Sequence, residues 1–258
     1  MSETTAENEG QEEETFFEGV SSLCSLLAIW LFVVTFLFQN FAIPSSSMAS
    51  TLLVGDHVVV DRLNPLPPEP WARFVRHSDV HRGEIIVFHK PPAEANGEHI
   101  LLVKRVIGVP GDRIHLRRGI VFRNGVSQDE PQTAKPTNVN YDAYRDEFPS
   151  VTPPPDAGLT AEWWADLPNH IDGEDLVVPP ESYFVMGDNR TKSADGRYWG
   201  FVRRGNIVGR PLFVYWSFPT PENEAEKARF SEKAALTMHK IVHFFDQTRW
   251  RRTFQVVE

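Results

Sequence analysis

The sequence has one cysteine, Cys24. An internal disulfide and a cysteine-rich zinc site are therefore both excluded. Positive charge is missing from the start of the chain, and Arg62 is the first Lys or Arg. No basic flank marks a cytoplasmic side, and no basic n-region introduces a secretory leader. The 26 Lys and Arg are outnumbered by 35 Asp and Glu, for a net charge of −9. That balance argues against nucleic acid as a partner. Familiar chemical signatures are also missing: no G-x-S-x-G, no H-E-x-x-H, no phosphate-binding P-loop and no G-x-G-x-x-G. Nine histidines are scattered, none in a recognisable pair with a carboxylate. A Ser-His-Asp hydrolase thus has little support. His57, at the start of a strand-like run, reads as a surface or packed residue rather than a base.

What is present divides the chain. Residues 1–18 hold seven glutamates and no basic residue, and read as a disordered acidic tail. Val20 to Phe41 is uncharged over 22 residues, about 33 Å of helix against a hydrocarbon core of about 30 Å. We place a transmembrane anchor at 19–42; a cleaved leader or a buried core helix are the rivals. From Ser50 onward short β-branched runs dominate: "HVVVDRL", "RGEIIVFHK", "HILLVKRVIGVPGDRIHL", "SYFVMGDN" and "GNIVGRPLFVYWSF". Asn-Gly in "IVFRNGVSQ" signals a hairpin. Many of the 20 prolines fall in the loops between these runs, in "NPLPPEPW", "KPPAEANGE" and "VTPPPDAGL". The stretch from about 127 to 178 is polar and looks like an insertion. After Glu222, Ala234, Met238, Ile241 and Phe245 recur at helical steps. Arg249, Arg251 and Arg252 then surround Trp250. This C-terminal amphipathic helix either packs on its own domain or lies on a membrane surface.

Three polar stretches could carry chemistry. "IPSSSMASTLLVGD" places Ser45, Ser46 and Ser47 between the apolar segment and a strand. A serine nucleophile needs a base, and a lysine serves if burial lowers its pKa. Lys104, in "HILLVKRVIG", shares a strand face with Ile100, Leu102 and Val106. A snorkelling edge lysine fits the same composition. "MGDNRTKSADGRYWG" packs Asp188, Arg190, Ser193, Asp195 and Arg197 into one loop between apolar strands, where sites tend to lie.

Together these stretches resemble the type I signal peptidases. "PSSSM" is similar to the family's serine box, "RGEIIVF" to its following strand, "VKRVIGVPGDRI" to its lysine box and "GDNRTKSADGRYWG" to its last box. The resemblance implies Ser47 as nucleophile and Lys104 as general base. It implies that Ser45 helps form the oxyanion hole and that Ser193 orients the lysine. It makes Arg105, Asp188, Asp195 and Arg197 structural residues around the site. It assigns Ile43, Pro44, Met48 and Leu52 to the substrate cleft. Two positions depart from the family pattern. Ser50 stands where proline is usual and is expected to loosen a turn; Gly196 stands where serine is frequent.

The fold expected from this is mainly β. A single transmembrane helix precedes a twisted antiparallel catalytic domain at 43–114 and 183–220. A smaller β subdomain is inserted at 115–182, and a helical extension occupies 221–258. The resemblance implies a membrane-anchored serine endopeptidase that removes signal peptides from exported preproteins, with no cofactor or metal. Its partners would be preproteins and membrane lipid, not nucleic acid. Its place would be the bacterial cytoplasmic membrane, single-pass, with the catalytic domain on the outer side and the acidic tail in the cytoplasm. A soluble self-cleaving repressor-type protease also uses Ser and Lys, but the apolar span and acidic head count against it. A β domain that only binds partners is the non-enzymatic alternative.

Overall fold

The computed structural model describes residues 3–32, 37–62, 79–91, 100–137, 139–222 and 230–258. The chain forms two compact units, Met1–Gln39 and Asn40–Glu258. The proline-rich loop at 64–71 and most of the one at 90–98 lie outside the described residues.

The first unit is a helix, Glu3–Phe32. The acidic head, expected to be disordered, is thus helical from Glu3. Glutamate is a good helix former, and negative charge suits the start of a helix. No helix among the described residues is long and apolar enough to cross a membrane. The uncharged part of this helix, from Gly19 to Phe32, is about 21 Å long. Residues 33–36 of the expected anchor lie outside the described set. Its end, Phe38–Ala42, is a strand, β1, and not helix. An apolar run alone does not separate helix from strand.

The rest is mainly β. One antiparallel sheet takes β1, β2 (Asp56–Asp61), β3 (Ile85–His89), β4 (Leu101–Gly108), β10 (Ser182–Met186), β11 (Val202–Arg203), β12 (Ile207–Ser217) and β13 (Gln255–Val256). Their order is β1-β2-β12-β3-β4-β10-β11, with β13 also on β12. Strand β12 is the corner: Arg210–Ser217 pair with β2, Ile207 and Gly209 with β3, and the register shifts along both ladders. Such bulges bend a strand. Gly209 allows it, since a Cβ there would collide with the Asp61 carbonyl and Val60.

The second sheet holds β5 (Arg113–Arg117), β6 (Ile120–Arg123), β7 (Val126–Ser127), β8 (Ile171–Asp172) and β9 (Asp175–Val177), ordered β7-β6-β5-β9-β8. The polar stretch expected to be an insertion outside the core sends Tyr144, Phe148, Trp163 and Leu167 into a buried cluster. They meet Ile107, Ile114, Phe184 and Met186 there. The insertion and the main sheet therefore share a core within one compact unit.

The C-terminal helix is Phe230–Val242. Its stripe does not pack on the domain: Met238 and Ile241 are 61% and 64% exposed, and Phe245, which falls in a separate short helix Phe244–Gln247, is 81% exposed. The segment after it does pack. Arg249 donates to the Val54 carbonyl, and Arg252 to Asp56 and the Thr51 carbonyl.

Candidate active site

Chain direction and burial bring the three polar stretches together. Ser45 is extended (φ −133°, ψ 157°), and Ser46–Met48 make one 3-10 turn. The turn is anchored from within by Met48, which is buried with Ile43, Leu52 and Val103. Ser47 is buried at its centre. Lys104 lies mid-strand in β4, opposite Ile86 of β3, and is only 2% exposed. Its Nζ donates to Ser47 Oγ at 2.6 Å and to the Val103 carbonyl at 3.1 Å. Ser45 Oγ lies 3.3 Å from Ser47 Oγ. The Ser46 hydroxyl turns away and donates to Glu222.

Burial is the main influence on Lys104. It disfavours the ammonium and lowers the pKa from 10.5 to about 8, against the opposing pull of Asp195 and Asp188. A lysine in this state loses its proton around pH 8 rather than near 10.5.

The loop after β10 forms the floor. Asn189 donates from its backbone N–H to the Ser47 carbonyl (3.0 Å) and from its side chain to the Ser46 carbonyl (3.2 Å). Gly187 passes so close to Ser47 O and Ser193 that a Cβ would collide with both. Asp188 is fully buried and takes Arg105 in two bonds of 2.8 Å each, with Thr51 Oγ1 at 2.5 Å. Asp195 is likewise buried and paired with Arg197 through two 2.8 Å bonds. Burial pushes the Asp195 carboxyl up, but Arg197 outweighs it and holds the carboxyl below its usual value.

Several expected roles change. Ser193 is buried, but its hydroxyl is not bonded to Lys104; the lysine's protein partners are Ser47 and Val103. Leu52 is fully buried in the core, so it lines no cleft. Ile43, Pro44, Ser45, Ser47, Met48 and Lys104 do line a small cavity of about 20 Å³, together with Phe41 and Leu101–Val103. A far larger cavity, about 1140 Å³, lies elsewhere between His89, Trp163, His170 and Arg203. It contains neither Ser47 nor Lys104.

The two departures from the family pattern have physical readings. Ser50 has φ +99°, and proline is locked near −65°. The turn therefore adopts a shape that proline would forbid, and the Ser50 hydroxyl fixes it by donating to the Gln132 carbonyl. Gly196 lets its turn press on β10: a Cβ would come within 2.9 Å of the Phe184 ring and the Val185 carbonyl.

Sequence reading missed the histidine pairs. His115 meets Asp175 at 2.6 Å, His170 meets Asp166, His81 meets Glu84 and His243 meets Asp246. None involves Ser47. His57 is packed, stacked on Trp216 at 4.8 Å. No metal-binding group of three or more His, Cys, Asp or Glu occurs among the described residues.

The model of the family described as "Signal peptidase, peptidase S26" matches residues 16–216. The chain belongs to this family. It is 29% identical over 238 residues to the probable signal peptidase I-2 of Synechocystis sp., covering 90% of both chains. It is 34% identical over 197 residues to the signal peptidase I of Bacillus caldolyticus, covering 76% of this chain and 87% of that one. A crystal structure of a signal peptidase I from Enterococcus faecalis is 29% identical. It covers 52% of this chain and 97% of its own, at a TM-score of 0.32. Family membership makes this chain a peptidase of the signal peptidase I type. The segment beyond residue 216 lies outside the family match.

Proposed function

We propose that the chain is a membrane-attached serine endopeptidase that removes signal peptides through a Ser47–Lys104 dyad. The observation that carries this is the 2.6 Å bond from a buried Lys104 to Ser47 Oγ, combined with the lysine pKa of about 8. Neutral Lys104 takes the Ser47 proton as Oγ attacks the scissile carbonyl. The resulting ammonium protonates the leaving amine, and an acyl-enzyme remains. Water, deprotonated by the same lysine, then releases the acid. The oxyanion forms near the Ser47 amide and the Ser45 hydroxyl, which lies 3.3 Å from the attacking oxygen.

The Arg105–Asp188 and Asp195–Arg197 pairs act structurally. They fill the space under the lysine with fixed charge and hold the loop that binds the Ser47 carbonyl. Ile43, Pro44 and Met48 supply the cleft for the substrate. Its cavity of about 20 Å³ suits a methyl-sized side chain, so precursors with Ala at −3 and −1 are the expected substrates.

Membrane attachment rests on the uncharged sequence from Val20 onward. We place the peptidase unit on the outer face of the bacterial cytoplasmic membrane, where signal peptides emerge. The exposed Met238, Ile241 and Phe245, with Trp250 and Arg251 near the end of the chain, suit a lipid surface. The test is incubation of detergent-solubilised protein with a precursor and mass spectrometry of the product. Trimming after a small residue is expected from wild type and not from Lys104→Arg, since arginine keeps its proton at working pH. Full activity in Lys104→Arg would sink the dyad.

A further inference from the structure

The chain after residue 216, beyond the family match, returns to the segment that carries Ser47. Glu222 Oε1 accepts both the Ser46 amide and the Ser46 hydroxyl, each at 2.7 Å. Thirty residues on, Arg252 donates to the Thr51 carbonyl at 2.9 Å and to the Asp56 carboxylate at 2.6 Å. Asp56 is fully buried and also accepts the Leu53 amide and the Ser217 hydroxyl. Arg249 donates to the Val54 carbonyl at 3.2 Å. Both ends of the segment from Ser46 to Asp56 are thus held by the C-terminal extension.

The Ser46 end matters more for chemistry. Ser45 provides no side-chain cap for the turn Ser46–Met48, and Glu222 takes that place. From the opposite side, Asn189 holds the carbonyls of Ser46 and Ser47. The turn is therefore gripped at the amide of Ser46 and at both carbonyls, with Ser47 between the grips. A shift of this backbone changes the distance from Ser47 Oγ to Lys104 Nζ directly.

We propose that Glu222 is a positioning residue for Ser47: it fixes the backbone one residue before the nucleophile and so keeps the hydroxyl on the lysine. The proposal rests on Ser47 being the nucleophile. Glu222 touches neither substrate nor lysine in this role. Its duty is to accept two bonds, which an amide oxygen of the same reach can also do.

The test compares wild type, Glu222→Ala, Glu222→Gln and Ser47→Ala as full chains in detergent, on one precursor peptide with Ala at −3 and −1. Glu222→Ala is expected to lower kcat about tenfold, with KM and melting temperature little changed. Glu222→Gln is expected to restore most of kcat. Wild-type kcat in Glu222→Ala, beside an inactive Ser47→Ala, would overturn the positioning role alone. So would a Gln variant as slow as the Ala variant, or a melting temperature that falls in step with kcat. Turnover by Ser47→Ala would overturn the dyad and this role with it.

Discussion

Replacing Lys104 with methionine removes a charge and keeps most of the side chain's volume. Lys104 is 2% exposed, and burial lowers its pKa from 10.5 to about 8. At 1.36 kcal/mol per unit, holding the ammonium in the folded chain costs about 3 kcal/mol. The folded chain binds fewer protons than the unfolded chain between pH 8 and 10.5, so stability rises with pH across that window. The penalty is complete below pH 8 and gone above 10.5. Methionine escapes it but forfeits the bonds to Ser47 and Val103, a loss of about 1 kcal/mol. The variant should therefore be inactive yet more stable by about 2 kcal/mol at pH 6. The advantage should shrink steadily from pH 8 and vanish or reverse near pH 10. Urea denaturation of both proteins at several pH values measures it. A difference that does not change with pH, or a wild type that is the more stable at pH 6, would refute the burial argument. Under the proposed dyad, in which neutral lysine is the active form, the same pKa requires kcat/KM to rise about tenfold from pH 7 to pH 9 and then level off.

Ser47→Ala should abolish turnover. Ser45→Ala should cut kcat by about 10²-fold, the usual effect of losing one oxyanion donor. Ser46→Ala should cost less than either, because its amide still reaches Glu222; kinetics on one precursor rank the three, and an inactive Ser46→Ala with an active Ser47→Ala would shift the assignment by one residue. Ser50→Gly should leave stability within about 1 kcal/mol of wild type, since glycine accepts φ +99° but loses the hydroxyl's bond to the Gln132 carbonyl. Ser50→Pro, which restores the residue usual in the family, should destabilise the fold instead; thermal melting of the two variants decides. Asp188→Ala removes the carboxylate partner of a buried Arg105, which keeps its bonds to the Gly83 and Glu258 oxygens, and should cost about 3 kcal/mol, read from denaturant midpoints. Precursors with Phe at −1 should be processed far more slowly than those with Ala, because the cavity beside Ser47 and Met48 holds about 20 Å³; equal processing in a competition assay would mean the cleft is elsewhere.

The strands were legible because β-branched runs bounded by Gly and Pro are local signals. So was the grouping of Ser45–Ser47, Lys104 and the 186–200 loop, because each is a short, dense pattern. The geometry within them was not. A serine triplet does not announce a 3-10 turn. The apolar segment was misread at its end for a related reason. Phe38–Ala42 carries no charge, yet it includes Gln39 and Asn40 and pairs at a sheet edge; the absence of charge does not separate helix from strand.

What stayed hidden is long-range. Glu222 meets Ser46 across 176 positions, and Arg252 meets Asp56 across 196. Neither leaves any periodicity, and each residue in isolation looks like a solvated surface charge. His115 and Asp175 were overlooked for the same reason, being 60 positions apart on neighbouring strands. Ser50 shows the opposite failure. Compared with the family pattern it looked like a lost proline and a loosened turn. Its positive φ shows a backbone of different shape, in which the proline would be the disruptive residue. In this chain the backbone around Ser47 is held by the hydroxyl of Ser50, the carboxylate of Glu222 and the guanidinium of Arg252. A proline at this position, locked near −65°, should therefore weaken the turn that φ +99° and these contacts build here.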